Sequence, residues 1–352
     1  MGDLQLMRLW PVVPILLLAG CKHGEPTVAA TGGLDQPFQV GDPLRLTYSD
    51  GFDGDASLST ASGRIIYAFD RDLTPLGLPK GCVGDLPLSG GSRGWEICDA
   101  SAQRQDTSTS SRWPALRADG MVAFVRQRWS PYGLSPYYSD LALQQTGVGR
   151  TPTQVIPIPY FSVSSGRSHQ GISQLQWLDH DHLVWLGLGV IRSLNDNVES
   201  GYEIVIDDPA DSLAGLSVVP GTNYASSVAV GGNSDTLYYT LGGDSLVCRR
   251  TLSTGVVDTV YNFGSLGIAR DVRVEGGRLI AVVGGSVSFI PHATLGMAQY
   301  DSGGPIYSVD LPNGTPTLVT ASFDQYRYPA LSPDGTVAIA QQSGDLWSVT
   351  LP

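Results

Sequence analysis

The chain has 352 residues, with 33 acidic against 21 basic side chains and a formal net charge of −12. So acidic a surface argues against a nucleic-acid partner and against polybasic attachment to anionic lipid, since both need clustered Lys and Arg. With 43 Gly, 23 Pro and almost no helical periodicity, the length suits one large all-β domain.

Leu9 to Gly20 is apolar but shorter than the roughly 20 residues a membrane span needs. It reads as the hydrophobic core of a signal peptide that is removed. The run ends Leu16-Leu17-Leu18-Ala19-Gly20-Cys21, two small residues and a cysteine after leucines. This resembles the lipobox of bacterial lipoproteins. The resemblance implies cleavage before Cys21 and acyl chains on its thiol and new amino terminus. Residues 1–20 are then the lipoprotein signal peptide and 21–36 a lipidated flexible tether, rich in Gly, Ala, Thr and Pro. The implied location is export followed by lipid anchoring, on the periplasmic face or at the outer membrane. Lys22, standing where an Asp favours inner-membrane retention, leans towards the outer membrane.

Pro43 to Tyr48 reads as a free strand ahead of the first repeat. Asp50-Gly51-Phe52-Asp53-Gly54-Asp55 gathers three carboxylates. Hard cations favour such oxygen-rich loops, so Asp50, Asp53 and Asp55 are a calcium candidate, although the spacing is not that of an EF-hand. A solvated turn is the competing reading, and no other cofactor is expected. Cys82 and Cys98 enclose 15 residues, and the implied export makes a disulfide between them an expectation. Gly90-Gly91-Ser92-Arg93-Gly94 matches G-x-S-x-G but sits in a Gly/Ser-rich loop, without the strand and helix a nucleophile elbow requires.

Along the chain a unit recurs six times. Its clearest copies are Arg112-Trp113-Pro114-Ala115-Leu116-Arg117-Ala118-Asp119-Gly120-Met121-Val122-Ala123-Phe124-Val125 and Arg327-Tyr328-Pro329-Ala330-Leu331-Ser332-Pro333-Asp334-Gly335-Thr336-Val337-Ala338-Ile339-Ala340. Each is a strand, an Asp-Gly turn that supplies positive φ, and a second strand. Weaker copies turn at Ser62-Gly63, His180-Asp181, Ser234-Asp235 and Gly276-Gly277. Third strands follow at Tyr202–Asp207, Ile306–Leu311 and Leu346–Leu351, and fourth strands at 154–156, 216–219, 257–260 and 317–319. Four antiparallel strands per unit, repeated every ~40 to 60 residues, are the signature of propeller blades. The Ser332-Pro333-Asp334-Gly335 copy resembles the PD40 repeat of TolB-like, WD40-like propellers. The expected fold is therefore all-β, a six-bladed propeller over residues 37–352 with four-stranded antiparallel blades. The last unit stops after its third strand, so the strand near Leu44 to Tyr48 is expected to close the ring.

Two insertions interrupt the pattern. Arg126, Arg128, Trp129, Tyr132, Tyr137 and Tyr138 gather in a long connection in the second blade. Their residue types dominate interface hot spots, so they are the candidate binding residues; the competing reading is a long hairpin whose aromatics pack onto the neighbouring blade. A second insertion runs from Gly284 to Gly304. His180-Asp181-His182 reads as a polar turn, and Cys248 as a buried small hydrophobe. Arg112, Arg270, Asp271 and Arg327, near the starts of inner strands, are the candidate channel residues and could meet an anionic ligand; the competing reading is that the Arg side chains hydrogen-bond the loops and carbonyls of neighbouring blades. The reading that results is a monomeric, lipid-anchored envelope propeller that binds or scaffolds a protein or peptide. The alternative is a propeller enzyme, a metal-dependent hydrolase or lyase acting on a sugar or anionic substrate at the channel.

Overall fold

The computed structural model describes residues 43–48, 53–59, 63–73, 79–98, 108–129, 136–147, 154–157, 167–192, 198–210, 216–284, 287–292, 296–301, 303–321 and 325–352. Cys21 and the tether lie outside the described residues. β1 (Leu44–Arg45) comes first in the chain. Blade 1 is β2 (Asp53–Ser59), β3 (Arg64–Leu73), β4 (Pro79–Pro87) and β5 (Glu96–Cys98). Blade 2 is β6 (Ser108–Leu116), β7 (Met121–Trp129), β8 (Pro136–Gln145) and β9 (Gln154–Pro157). Blade 3 is β10 (Arg167–Trp177), β11 (Leu183–Arg192), β12 (Val198–Asp207) and β13 (Ser217–Val218). Blade 4 is β14 (Ala225–Val230), β15 (Thr236–Leu241), β16 (Leu246–Thr251) and β17 (Val257–Asn262). Blade 5 is β18 (Ala269–Glu275), β19 (Arg278–Val283), then a separate hairpin β20 (Val287–His292) and β21 (Gly296–Asp301), then β22 (Ile306–Asp310) and β23 (Thr317–Leu318). Blade 6 is β24 (Arg327–Leu331), β25 (Val337–Gln342) and β26 (Asp345–Thr350).

Every blade is an antiparallel sheet of four, and the innermost strands β2, β6, β10, β14, β18 and β24 touch in a closed ring. Blade 6 takes its outer strand from β1, with Leu44 opposite Ser348 and Arg45 opposite Trp347. The seam continues through Leu46, whose N–H donates to the Leu346 carbonyl at 2.8 Å. The Leu346 N–H in turn donates to Thr47 Oγ1 at 2.9 Å. Arg45 pairs with the buried Asp345, and Leu46 is only 6% exposed.

The core is divided among the blade junctions. The described residues form six apolar clusters, one at each junction, and the second strands feed two clusters each. In β3, Ile65, Tyr67 and Phe69 face blade 6 while Ile66 faces blade 2. This explains why the second strands read as unbroken apolar runs, such as Leu183-Val184-Trp185-Leu186: both faces of the strand are covered. Between the first two strands, the Asp-Gly turns are held by the Asp itself. Asp334 Oδ1 accepts from the Thr336 N–H at 3.1 Å and from Ser332 Oγ at 2.6 Å, and Gly335 takes φ +70°.

The closing strand should be essential to the fold. Leu46→Ala is expected to destabilise by about 3 kcal/mol, since it empties a buried site. Deleting residues 43–48 should expose the edge of β26 and cause aggregation. Urea unfolding measures the first and light scattering the second. A deletion variant that melts at the parental temperature would show that the ring does not need β1.

Candidate functional site

The innermost strands share a local distortion that shapes the propeller axis. Each slips register against its neighbour, β10 twice and the other five once. At five of these slips a non-glycine residue is left-handed: Asp55 (φ +52°), Trp113 (+53°), Gln174 (+53°), Asp271 (+50°) and Tyr328 (+47°). Such backbone costs about 1–3 kcal/mol per residue and persists only where surroundings impose it. Here hydrogen bonds between blades impose it. Asp55 Oδ2 accepts from the Trp113 N–H at 3.3 Å. Asp271 Oδ2 accepts from the Tyr328 N–H at 3.2 Å. Gln174 Oε1 accepts from the Val228 N–H at 3.0 Å, and its Nε2 donates to Asp271 Oδ1 at 3.2 Å. Trp113 and Tyr328 meet edge to face at 4.6 Å.

This ring floors an axial cavity of about 360 Å³ to which all six innermost strands contribute. It extends towards the exposed turn Gly232-Asn233-Ser234, on the face where first and second strands are joined. Its walls combine Trp113, Trp177 and leucines with Ser57, Gln174, Gln176, Arg273 and Glu275. Most polar groups are already engaged. Gln176 bridges the Val228 carbonyl (2.8 Å) and the Val230 N–H (3.1 Å). Ser57 Oγ accepts from the Leu116 N–H at 3.2 Å. Burial pulls the Arg273 guanidinium down to about 10 against the pull of Asp271 and Glu275. Burial also raises the Glu275 carboxyl, with Arg273 opposing.

Beside the cavity, the turns of blades 2 and 3 form a polar cluster. Arg117 grips Asp119 through two bonds of 2.9 and 2.8 Å and stacks 4.6 Å over Trp177. The bond from Arg117 is the main reason Asp119 falls to about 2. His182 Nδ1 lies 2.9 Å from Asp179, which raises the imidazole. Burial works against the Asp179 carboxylate, but N–H groups and the imidazole outweigh it and lower its pKa. His180-Asp181-His182 is thus the expected polar turn. Among the described residues, no three His, Cys, Asp or Glu side chains gather in a way that could hold a metal.

The opposite face is uneven. The second and third strands of blades 4 and 6 end in tight turns, at Leu241–Leu246 and Gln342–Asp345. In blades 1, 2 and 3 the same hairpins run on to Leu73↔Pro79, Trp129↔Pro136 and Arg192↔Val198. Blade 5 adds β20–β21 at the equivalent connection. The sequence of these extensions carries Asp70, Asp72, Glu199 and Asp301 against Arg71, Lys80, Arg128 and Arg192.

The sequence candidates scatter over these places. Arg128, Trp129, Tyr137 and Tyr138 lie on the blade 2 extension, and Tyr132 lies outside the described residues. Arg126 is different: it is 7% exposed, opposite the equally buried Asp140, and so belongs to the sheet and not to the tip. Asp50 is outside the described residues. Asp53 and Asp55 are buried residues of β2 and not an open acidic loop, because the chain is already paired there through the Asp53 N–H and Gly344 carbonyl at 2.7 Å. Asp271 joins the axial ring. Arg112, Arg270 and Arg327 each directly precede a left-handed residue and do not line the cavity. Arg270 donates to the Gly284 and Gly303 carbonyls of its own blade at 2.9 and 2.6 Å. Cys82 lies opposite Cys98 in the ladder of β4 and β5. Cys248 is a free, half-buried thiol pushed up by burial. Gly90 to Gly94 is an irregular loop between β4 and β5, with no helix. Sequence reasoning missed Trp113, Gln174 and Tyr328. The available signal was position: Trp113 and Tyr328 both stand six residues before the turn Asp of their copy.

Gln174 should act as a blade-to-blade clasp. Gln174→Ala leaves the Val228 N–H and its other partners unmatched and is expected to destabilise by about 2 kcal/mol. Urea denaturation measures it. An unchanged midpoint would show that the left-handed ring is held by other means.

No family model and no curated protein sequence matches the chain. Solved structures do. A gluconolactonase from Xanthomonas campestris superposes with a TM-score of 0.54 at 12% identity, over 88% of this chain and 89% of that one. The β-propeller domain of Swd1 from Myceliophteria thermophila gives 0.50 at 8% identity, over 90% and 100%. TolB from Acinetobacter baumannii gives 0.47 at 15% identity, over 83% and 64%. At 12% and 8% identity the first two likenesses are of fold alone, and the fold is a β-propeller.

Proposed function

We propose that this protein is a binding propeller held at the bacterial envelope by a lipid on Cys21, with its hairpin face offered to a protein or peptide partner. The observation that supports it best is the unequal face. Only blades 1, 2, 3 and 5 extend their hairpins, all on one side, and charges balance there in a chain of net charge −12. Trp129, Tyr137, Tyr138, Phe289 and Tyr300 fall on these extensions. Aromatic and Arg enrichment marks interfaces, and long loops on a rigid scaffold are where binding residues concentrate. The path of the chain fits the same reading. β1 runs towards the β25–β26 turn, so Pro43 enters on the turn face. A lipid on the N-terminal side leaves the hairpin face pointing away from it.

One capture experiment on the anchored protein tests both halves. Cys21→Ser should lose labelling by a palmitate analogue and move to the soluble fraction. Replacing Val287–Asp301 with a two-residue Asn-Gly turn should leave the melting temperature unmoved and reduce recovery of the co-purifying envelope protein at least tenfold, about 1.4 kcal/mol. Membrane retention of Cys21→Ser sinks the anchor, and undiminished capture sinks the hairpin interface.

A second proposal concerns the outer edge of blade 1. Opposed residues on antiparallel strands have Cα atoms about 4.5–5.5 Å apart, within the span of a disulfide. The ladder sets Cys82 against Cys98 in this way, and in an oxidising envelope the two are joined. Mass spectrometry of non-reduced peptides should find them linked, and reduction should cost about 3 kcal/mol. Two free thiols in protein isolated from the envelope would refute the bond.

A further inference from the structure

We infer that the axial cavity binds a zwitterionic amino acid with an apolar side chain, its carboxylate on Arg273 and its ammonium on Glu275. The two residues alternate on β18 and therefore share its axial face, about 7 Å apart along the strand. Arg273 uses one nitrogen, which donates to the Val228 carbonyl at 3.0 Å and the Val272 carbonyl at 2.7 Å. Its remaining N–H groups have no partner among the described residues, and neither does the Glu275 carboxylate. Each feels the other only at longer range. The other acids at the floor are committed, Asp55 to the Trp113 N–H and Asp271 to Gln174 and the Tyr328 N–H.

A separated cation and anion in a half-buried site match a ligand that carries both charges close together. A simple carboxylate or a simple amine would leave one of the two uncompensated. The apolar body has a prepared place. Trp177 is pinned through Nε1 to the Ala115 carbonyl at 3.0 Å and by Arg117 stacked on its ring, and Trp113 is braced by Tyr328. Rings fixed beforehand lose little freedom on binding. A volume of about 360 Å³ holds one amino acid comfortably. The site lies on the turn face, so it stands or falls separately from the hairpin interface.

Calorimetry on the full-length protein in detergent decides it. Leucine, methionine and phenylalanine are the probes, with phenylacetate and phenethylamine as the analogues lacking one charge. At least one amino acid should bind with a Kd of about 1 mM or tighter. Phenylacetate and phenethylamine should each bind at least tenfold more weakly than phenylalanine. Glu275→Gln should weaken phenylalanine about tenfold and leave phenylacetate unchanged, a split that general loss of stability would not produce. Failure of all three amino acids, or analogues as tight as phenylalanine on the unmodified protein, overturns the assignment. So does a Glu275→Gln variant that binds every probe as before.

Discussion

The seam between β1 and β26 is the contact on which the ring depends. A propeller blade buries both faces against its neighbours, so its apolar content is useful only while the circle is closed. Blade 6 has three strands of its own, and β1 adds the fourth across only two ladder pairs. Side chains complete the joint: Arg45 with Asp345, Thr47 with the Leu346 N–H, and Leu46 in the cluster shared by blades 6 and 1. If the seam opens, that cluster loses one wall, and a free strand edge is presented to other chains. Burial of its leucines, isoleucines and aromatic rings, worth roughly 1.5–3 kcal/mol each as an upper bound, is conditional on closure.

Near the axis a second constraint operates. Six innermost strands converge where little room remains, and each slips register at least once. The left-handed residues turn side chains towards the next blade, where Asp55, Gln174 and Asp271 accept N–H groups that the slipped ladder leaves over. Backbone strain and inter-blade hydrogen bonding are thus two sides of one arrangement. The same residues make the cavity floor, so its shape is tied to the stability of the ring. Val228 shows how tightly: its N–H goes to Gln174, and its carbonyl accepts from both Gln176 and Arg273.

The two faces divide the chemistry. The turn face carries the cavity, the incoming chain and the cluster of Arg117, Asp119, Asp179 and His182 around Trp177. These groups neutralise one another and leave the indole fixed. The hairpin face carries the extensions of blades 1, 2, 3 and 5, whose sequence holds acidic and basic residues in equal number together with several aromatics. Both faces rest on a rigid base, which the six junction clusters supply.

Strand positions were legible in the sequence because local physics sets them. Asp-Gly turns need positive φ, and doubly covered strands need unbroken apolar runs. The copies around Asp119 and Asp334 and the fourth strands near Val155, Val218 and Leu318 fall where the repeat puts them. Six blades, and the missing fourth strand of the last, could be counted from the same pattern. The extra length of the second blade's connection was visible too, as was the insertion after Gly284. The axis was not legible. Arg112, Arg270 and Arg327 stand out by charge, but the register slip puts Trp113, Asp271 and Tyr328 at the left-handed positions one residue later. A slip is a compromise between neighbouring strands and leaves no mark in either one alone. Asp53 and Asp55 looked like a loop for the same reason: their partners, Gly344 and Trp113, are remote in sequence. Gln174, Arg273 and Glu275 are ordinary polar residues of two strands until closure brings β10 and β18 around a common axis. The sequence by itself determined which segments pair and how often. Only the closed ring decided which side chains meet at its centre, because that meeting depends on long-range packing that no single repeat contains.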